Sequence, residues 1–275
     1  MTTLAAAEPL ARQHGWSLRA QIWEWTPAFA FLVGALALWE LLVRTLGIKQ
    51  FILPSPVAIG SAVVAHFPEL WQSATYTLVE ILLGLAIGVV AGLLAGIVTA
   101  RYGAFRESIL PFAIAANSIP IIAFAPIFNN WFGIDKQLSK AMIAAAICFF
   151  PVMINTVRGL TSASPAAIEL MRSYAATDTQ ILRMVRIPAA LPFIFTALRV
   201  ATTLATIGAI IGEYFGAPKV SLGQYIVTYS SYLNFERSWA AIVFACAIGI
   251  GLYVAVVVVE RIVAPWTIDR LERAG

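Results

Sequence analysis

Six stretches of the chain are apolar for long enough to cross a bilayer: Thr26 to Val43, Thr77 to Ala100, Ile109 to Phe128, Ala141 to Val157, Phe193 to Ile211 and Ala240 to Val263. A crossing helix takes about 20 mainly apolar residues, with latitude for tilt. A backbone in lipid must satisfy its own hydrogen bonds, so each stretch predicts a helix. The pattern predicts an all-α integral membrane fold of about six transmembrane helices. It divides the chain into an N-terminal tail over 1–25, a membrane domain over 26–263 with a long polar loop at 159–188, and a C-terminal tail over 264–275.

Composition agrees, with 60% apolar and 12% charged residues and a mean hydropathy of +0.85; soluble domains carry about twice that charge. The 275 residues leave no room for a large soluble catalytic domain beside six spans. A net charge of +4 raises the question of nucleic acid, but the basic residues are scattered, without a cluster or interleaved aromatics, so no nucleic-acid partner is expected. They read as topology signals. With the N-terminus in the cytoplasm, eleven fall inside (Arg12, Arg19, Arg101, Arg106, Arg158, Arg172, Arg183, Arg186, Arg261, Arg270, Arg273) and six outside (Arg44, Lys49, Lys136, Lys140, Lys219, Arg237). That bias places both termini in the cytoplasm. Arg12 and Arg19 precede an apolar stretch like a signal peptide, yet it runs on through Trp39, Glu40 and Leu41 without a small-residue cleavage site, and so stays as the first span. Cys148 and Cys246 both lie in apolar stretches, which offers neither a metal-ligand spacing nor a disulfide framework.

Between the first two spans, Leu53-Pro54-Ser55-Pro56 supplies Ser55 as an N-cap and Pro56 at the first position of a short surface helix towards Leu70. In the second span, Gly84, Gly88, Gly92 and Gly96 recur every four residues, a small-residue stripe for close helix packing. Gly208, Gly212 and Gly216 repeat the device in the fifth. The third span is interrupted by Pro111, Pro120 and Pro126 and carries Asn117 and Ser118 near mid-depth. Broken polar helix belongs where it is buried in protein or lines a cavity, so Asn117 and Ser118 are either pore-lining or bonded to a neighbouring helix. Glu40, Glu80 and Glu213 lie within or at the edge of spans, where an ionisable group is costly and a functional candidate. Glu213, beside Tyr214 and above Thr202, Thr203 and Thr206, is placed to meet a partner or gate a path; equally, it can reach headgroup water or pair with Lys219. Glu80 is expected in an interhelical hydrogen bond and Glu40 at the interface.

The long loop runs from Arg158 to Pro188. Ser164 and Pro165 open one short helix, and a second starts near Asp178 or Thr179 and runs to the proline. Ile181, Leu182, Val185 and Ile187 give the second helix an apolar side opposite Gln180, Arg183 and Arg186, a form suited to docking another protein. The loop resembles the EAA loop of ABC importer permeases, which reads Glu-Ala-Ala, three residues, Gly, nine residues, Ile, one residue and Leu-Pro. Here Glu169 holds the first position, Leu170 and Met171 stand for the alanines, Ala175 for the glycine, and Val185, Ile187 and Pro188 for the end.

The resemblance implies a type I importer permease fold in a bacterial inner membrane, with the helix around Glu169 to Ala175 as the coupling helix seated in a groove of a separate ATPase. Arg172 would pair with Glu169, with the ATPase or only with water, and Tyr174 would anchor in the groove. It implies no cofactor in this chain, ATP and magnesium being held by two ATPase copies, with a second permease subunit, a homodimer in the simplest assembly, and a periplasmic or surface solute-binding protein as further partners. Leu53 to Pro56, Asn117 to Phe128 and Pro188-Ala-Ala-Leu-Pro192 resemble the nitrate, sulfonate and taurine branch, and Asn117 through Gly133 resembles carriers of pyrimidine precursors or other heteroaromatic compounds. The residues exclude ATP hydrolysis by this chain, because a phosphate-binding loop needs Gly-Lys-Ser/Thr and Lys49, Lys136, Lys140 and Lys219 follow Ile, Asp, Ser and Pro. His14 and His66 lie apart from any carboxylate pair or nucleophile, so no catalytic cluster or metal site is expected. The alternative is a secondary, ion-coupled transporter, which would be expected to carry paired broken segments in two related halves; one broken span and no inverted repeat are present.

Overall fold

The structure, a computed structural model, describes residues 18–267 except Lys219; the side chains of 18–25, 104, 105, 121 and 122 also fall outside the description. Arg12, His14, Arg19, Lys219, Arg270 and Arg273, and the tails they help define, therefore lie outside the described side chains. The described chain is helical, without strands. Its elements are α1 (Leu18–Thr45), α2 (Pro56–Ala65), α3 (Phe67–Arg101), α4 (Gly103–Ala116), α5 (Ala125–Phe132), α6 (Gln137–Thr161), α7 (Pro165–Ser173), α8 (Asp178–Ile181), α9 (Ile187–Tyr214), α10 (Leu222–Ser231) and α11 (Phe235–Val263). Five helical stretches are long and apolar enough to cross a membrane: Thr26–Thr45, Phe67–Arg101, Gln137–Thr161, Asp178–Tyr214 and Phe235–Val263.

The chain forms two compact units that meet at Ala58. In the first, the Glu40 carboxylate, near the end of α1, accepts from Arg44 Nε at 2.5 Å and from Val57 N at 3.1 Å. Ser55 Oγ accepts from Ala58 N at 3.3 Å, so Glu40 and Ser55 together satisfy the first amides of α2. The helix stops at Ala65 rather than Leu70, because α3 opens at Phe67 with Pro68 in its first turn.

The second unit is a bundle built around α6. Gly84, Gly88, Gly92 and Gly96 are buried, and a Cβ on them would meet, respectively, the Ala141 carbonyl oxygen at 2.6 Å, the Ala145 carbonyl oxygen at 2.6 Å, the Phe149 carbonyl oxygen at 2.8 Å and Thr156 Cβ at 2.6 Å. The numbers rise together on both helices, so α3 and α6 run parallel and nearly touch backbone to backbone. Helix α9 runs antiparallel to α6 and shares with α3 the α6 face around Ala144. Gly159 meets Ala190, and Gly208 and Gly212 meet Ala144 and Lys140. The small face of α9 is chiefly alanine, with Ala197, Ala201, Ala205 and Ala209 all fully buried around Cys148. Gly216 is not part of it: it follows the end of α9 with φ +133° and faces Ile134. Helix α11 runs antiparallel to α9, with Gly249 beside Thr206 and Glu260 paired to Arg199 at 3.0 Å.

The third predicted span is not one helix. Helix α4 stops at Ala116, a 3₁₀ turn covers Ile121–Phe124, and α5 follows. Pro120 lacks an N–H and disfavours helical geometry at Ile119, which breaks the ladder there. Because α3 and α6 are parallel, residues 102–136 must return the chain to the end where α3 began, and Gln137 Nε2 donates to the Tyr76 carbonyl at 3.2 Å. The segment thus makes a crossing as a broken helix.

Candidate functional site

Two clusters lie at opposite ends of the bundle. At the loop end, Pro165 opens α7, with the Ser164 carbonyl accepting from Ile168 N at 3.2 Å; the Ser164 side chain makes no capping bond. None of the residues of α7 is buried, and Leu170 is 58% exposed and Tyr174 77%. The helix ends in a paired turn: Ala176 N donates to the Met171 carbonyl at 3.0 Å and Ala175 N to the Arg172 carbonyl at 2.9 Å. This turn needs a left-handed residue, and Ala175 takes it at φ +52°. That is the position where the resembling motif carries glycine, the residue that adopts this conformation without steric cost.

Thr177 then caps α8 reciprocally with Gln180, at 2.8 Å from Thr177 N to Gln180 Oε1 and 3.4 Å from Gln180 N to Thr177 Oγ1. Ile181 is buried, Leu182 packs on Ala100, Leu160 and Ala190, and Met184 and Ile187 are exposed. The expected second loop helix is not a separate element. A π-turn over Leu182–Arg186, closed by Ile187 N on the Leu182 carbonyl, carries it into α9. The wider turn accommodates Pro188, which has no N–H and whose ring would clash with the carbonyl one turn back. The result is one helical stretch of 37 residues, Asp178–Tyr214. Glu169 and Arg172 form no ion pair among the described residues.

At the other end, Glu213 is fully buried. Its Oε1 accepts from Thr77 Oγ1 and its Oε2 from Gly223 N, both at 2.6 Å. Leu222 N donates to Thr77 Oγ1 at 3.0 Å, Gln224 N to Ser221 Oγ at 3.4 Å, and Gln224 Nε2 to the Glu213 carbonyl at 2.8 Å. The first three amides of α10 are thus all partnered, and the carboxylate sits where the helix dipole favours an anion. Glu213 is therefore a capping group inside the protein, not a carboxylate at headgroup water. Glu80 and Lys140 are buried beside it. No other described side chain or amide donates to the Glu80 oxygens; its carboxyl meets that of Glu213, which joins α3 to α9 as expected of an interhelical contact. The Lys140 ammonium donates to the Ile134 carbonyl, and Asn129 Oδ1 accepts from Ser139 Oγ. Lys140 is thus no wet topology charge. Sequence reasoning missed both Lys140 and Asn129, although Lys140 lies one turn before Ala144 on the face that packs against Gly84 and Gly208.

Around α10, Arg237 stacks over the Tyr229 ring at 4.6 Å, contacts His66 Nδ1 at 2.7 Å and pairs with Glu69 at 3.8 Å. Tyr225 donates to Glu69 at 3.4 Å, and burial pushes its phenol above the ordinary range, keeping it a donor. The other proposed path residues do not converge. Thr202 and Thr206 are buried and bond back to the Arg199 and Thr202 carbonyls at 2.7 and 2.9 Å, although Thr206 also edges an apolar groove of about 510 Å³ between α9 and α11. Asn117 and Ser118 sit exposed at the break after α4.

A bundle of close-packed spans with an exposed helical loop defines a multi-pass membrane protein. The chain belongs to the family of binding-protein-dependent transport system inner membrane components, which matches residues 88–268. It is 35% identical to a riboflavin transport system permease protein of Chloroflexus aurantiacus, across 90% of this chain and 92% of that one. It is 32% identical to a formylaminopyrimidine transport permease protein of Halalkalibacterium halodurans, across 87% and 95%, and 30% identical to a putative aliphatic sulfonates transport permease protein of Escherichia coli, across 91% and 93%. An inward-facing structure of the MetNI methionine ABC transporter aligns with a TM-score of 0.49 at 22% identity, over 68% of this chain and 94% of that one. The chain is the membrane permease subunit of an ABC importer, not itself an enzyme, and works with an ATPase and a solute-binding protein. The ion-coupled alternative has no support among these relatives.

Proposed function

We propose that two copies of this chain form the membrane path of an importer for a small heteroaromatic solute, each copy receiving one ATPase on its α7 loop. Glu169, Leu170, Met171, Arg172, Tyr174 and Ala175 form the ATPase contact, and Val185, Ile187 and Pro188 pass its motion into the membrane. One observation carries this reading: the helical stretch from Asp178 to Tyr214 is continuous for 37 residues, about 55 Å at the usual rise. A push at the loop therefore moves a stiff rod that ends at Glu213. ATP and magnesium stay on the ATPase, whose closure biases the two copies between inward- and outward-open states. The loop end and both termini face the cytoplasm, in keeping with the arginine distribution. Gly84, Gly88, Gly92 and Gly96 hold the frame, and the broken segment at Asn117 and Ser118 borders the path with Thr206; Thr202 and Glu213 support its wall.

The solute class is favoured by the riboflavin and formylaminopyrimidine relatives, which are more alike to this chain than the taurine relative at 25% identity. Taurine and aliphatic sulfonates are the second reading, with nitrate-like anions after them. The test is ATP hydrolysis by the complete transporter in vesicles, with its binding protein and each solute in turn. Several-fold stimulation by a flavin or pyrimidine is expected. Stimulation by taurine or an alkanesulfonate alone would move the chain to the second class.

A further inference from the structure

Between the end of α3 and the loop lies a cavity of about 320 Å³. Three arginines line it, Arg101 from α3, Arg172 from α7 and Arg186 from the π-turn, with Asp178 as the one acidic residue of the lining. None of the three arginines makes an ion pair or side-chain hydrogen bond with another described residue. Three like charges around one concave space, with a single carboxylate among them, leave a surplus of positive charge that favours an anion. Guanidinium forks match phosphate oxygens bidentately. The floor is apolar, from Ile97, Leu160 and Ile181. Ile97 is 46% exposed, on the outer face of α3 with Leu94 at 60% and Val98 at 52%, so the cavity is continuous with the apolar flank of a span.

We infer that this cavity holds the phosphate headgroup of one anionic phospholipid, its acyl chains lying along α3. A charged head beside an apolar floor selects an amphipath over a free ion. The lipid would bridge a span (Arg101) and the π-turn (Arg186), beside the helix assigned to the ATPase, making the loop's position sensitive to the anionic lipid content of the membrane. Lipid retention stands without the solute reading; only an effect on ATP hydrolysis rests on the coupling reading.

The experiment uses the permease with its ATPase in nanodiscs of phosphatidylcholine with and without phosphatidylglycerol, and counts retained lipids by native mass spectrometry. The variants are Arg101→Gln, Arg186→Gln and, as an exposed arginine at the same end away from the cavity, Arg261→Gln. Selective retention of phosphatidylglycerol is expected, weakened about fivefold by each cavity substitution and unchanged by Arg261→Gln. Equal loss in all three variants would overturn the site in favour of a general surface attraction. Inorganic phosphate reproducing, in discs of phosphatidylcholine alone, the thermal stabilisation given by phosphatidylglycerol would make it a free-anion site. Loss of the ATPase with lipid retention unchanged would make the arginines ATPase contacts. Elution and melting profiles matching the native complex confirm that the variants are folded.

Discussion

The two ends of the bundle are opposites. Around α10 the helix N-terminal amides are partnered, two of them by other helices: Thr77 of α3 and Glu213 of α9 answer Leu222 and Gly223, and the N-cap Ser221 answers Gln224. Around α7 the helix buries nothing, a tyrosine and a leucine stand in the open, and three arginines line one cavity with a single carboxylate, Asp178, among them. One end is closed by its own sequence, and the other, where the proposed ATPase contact lies, is left open. Stability and partner exchange are thereby separated along the 37-residue helical stretch that joins them.

The sharpest way to break this contrast is at Glu213. Replacing it with Ala removes the acceptor of two short hydrogen bonds inside the protein and is expected to cost about 3 kcal/mol; an unchanged melting temperature in detergent would mean that the α10 end is not the rigid one. Gly88→Ala comes next, because its Cβ would stand 2.6 Å from the Ala145 carbonyl oxygen, where backbone must move. A loss of about 1–3 kcal/mol is expected by the same melting assay. At the loop end the sign of the argument reverses. Tyr174→Asp should leave the melting temperature of the isolated permease within about 0.5 kcal/mol of the native value while weakening ATPase binding by about 2 kcal/mol, or roughly 30-fold. Binding unaffected by a charge there would remove Tyr174 from the contact. The smallest effect is expected at Ala175, where glycine relieves the left-handed strain but loses more chain entropy on folding. Ala175→Gly should protect the α7 amides from hydrogen exchange by a net gain of about 0.5–1 kcal/mol. Faster exchange would show the turn to be unstrained.

Features that depend on local periodicity were legible from the residues alone. The four-residue glycine repeat marks a packing face because helix geometry stacks such positions in one stripe, and Ser55-Pro56 marks a helix start because both residues act on amides within three positions. The apolar windows, the interruption at Pro120 and the spacing from Glu169 to Pro188 belong to the same kind. Direction and convergence did not. That α3 runs parallel to α6, that Lys140 is drawn inside, and that Thr77, Glu80, Lys140 and Glu213 share one buried volume depend on how spans far apart in sequence cross. Glu213 reads equally as a gate, a partner contact or an interfacial carboxylate until α10 folds back and places its amides on it. Pro188 reads as the end of a helix until a π-turn carries the chain past it. A sequence sets the repeat of each helix, since that energy is spent within a few residues; which helix supplies the missing partner is decided only by tertiary packing, where the hydrogen bonds left open by one element are completed by another.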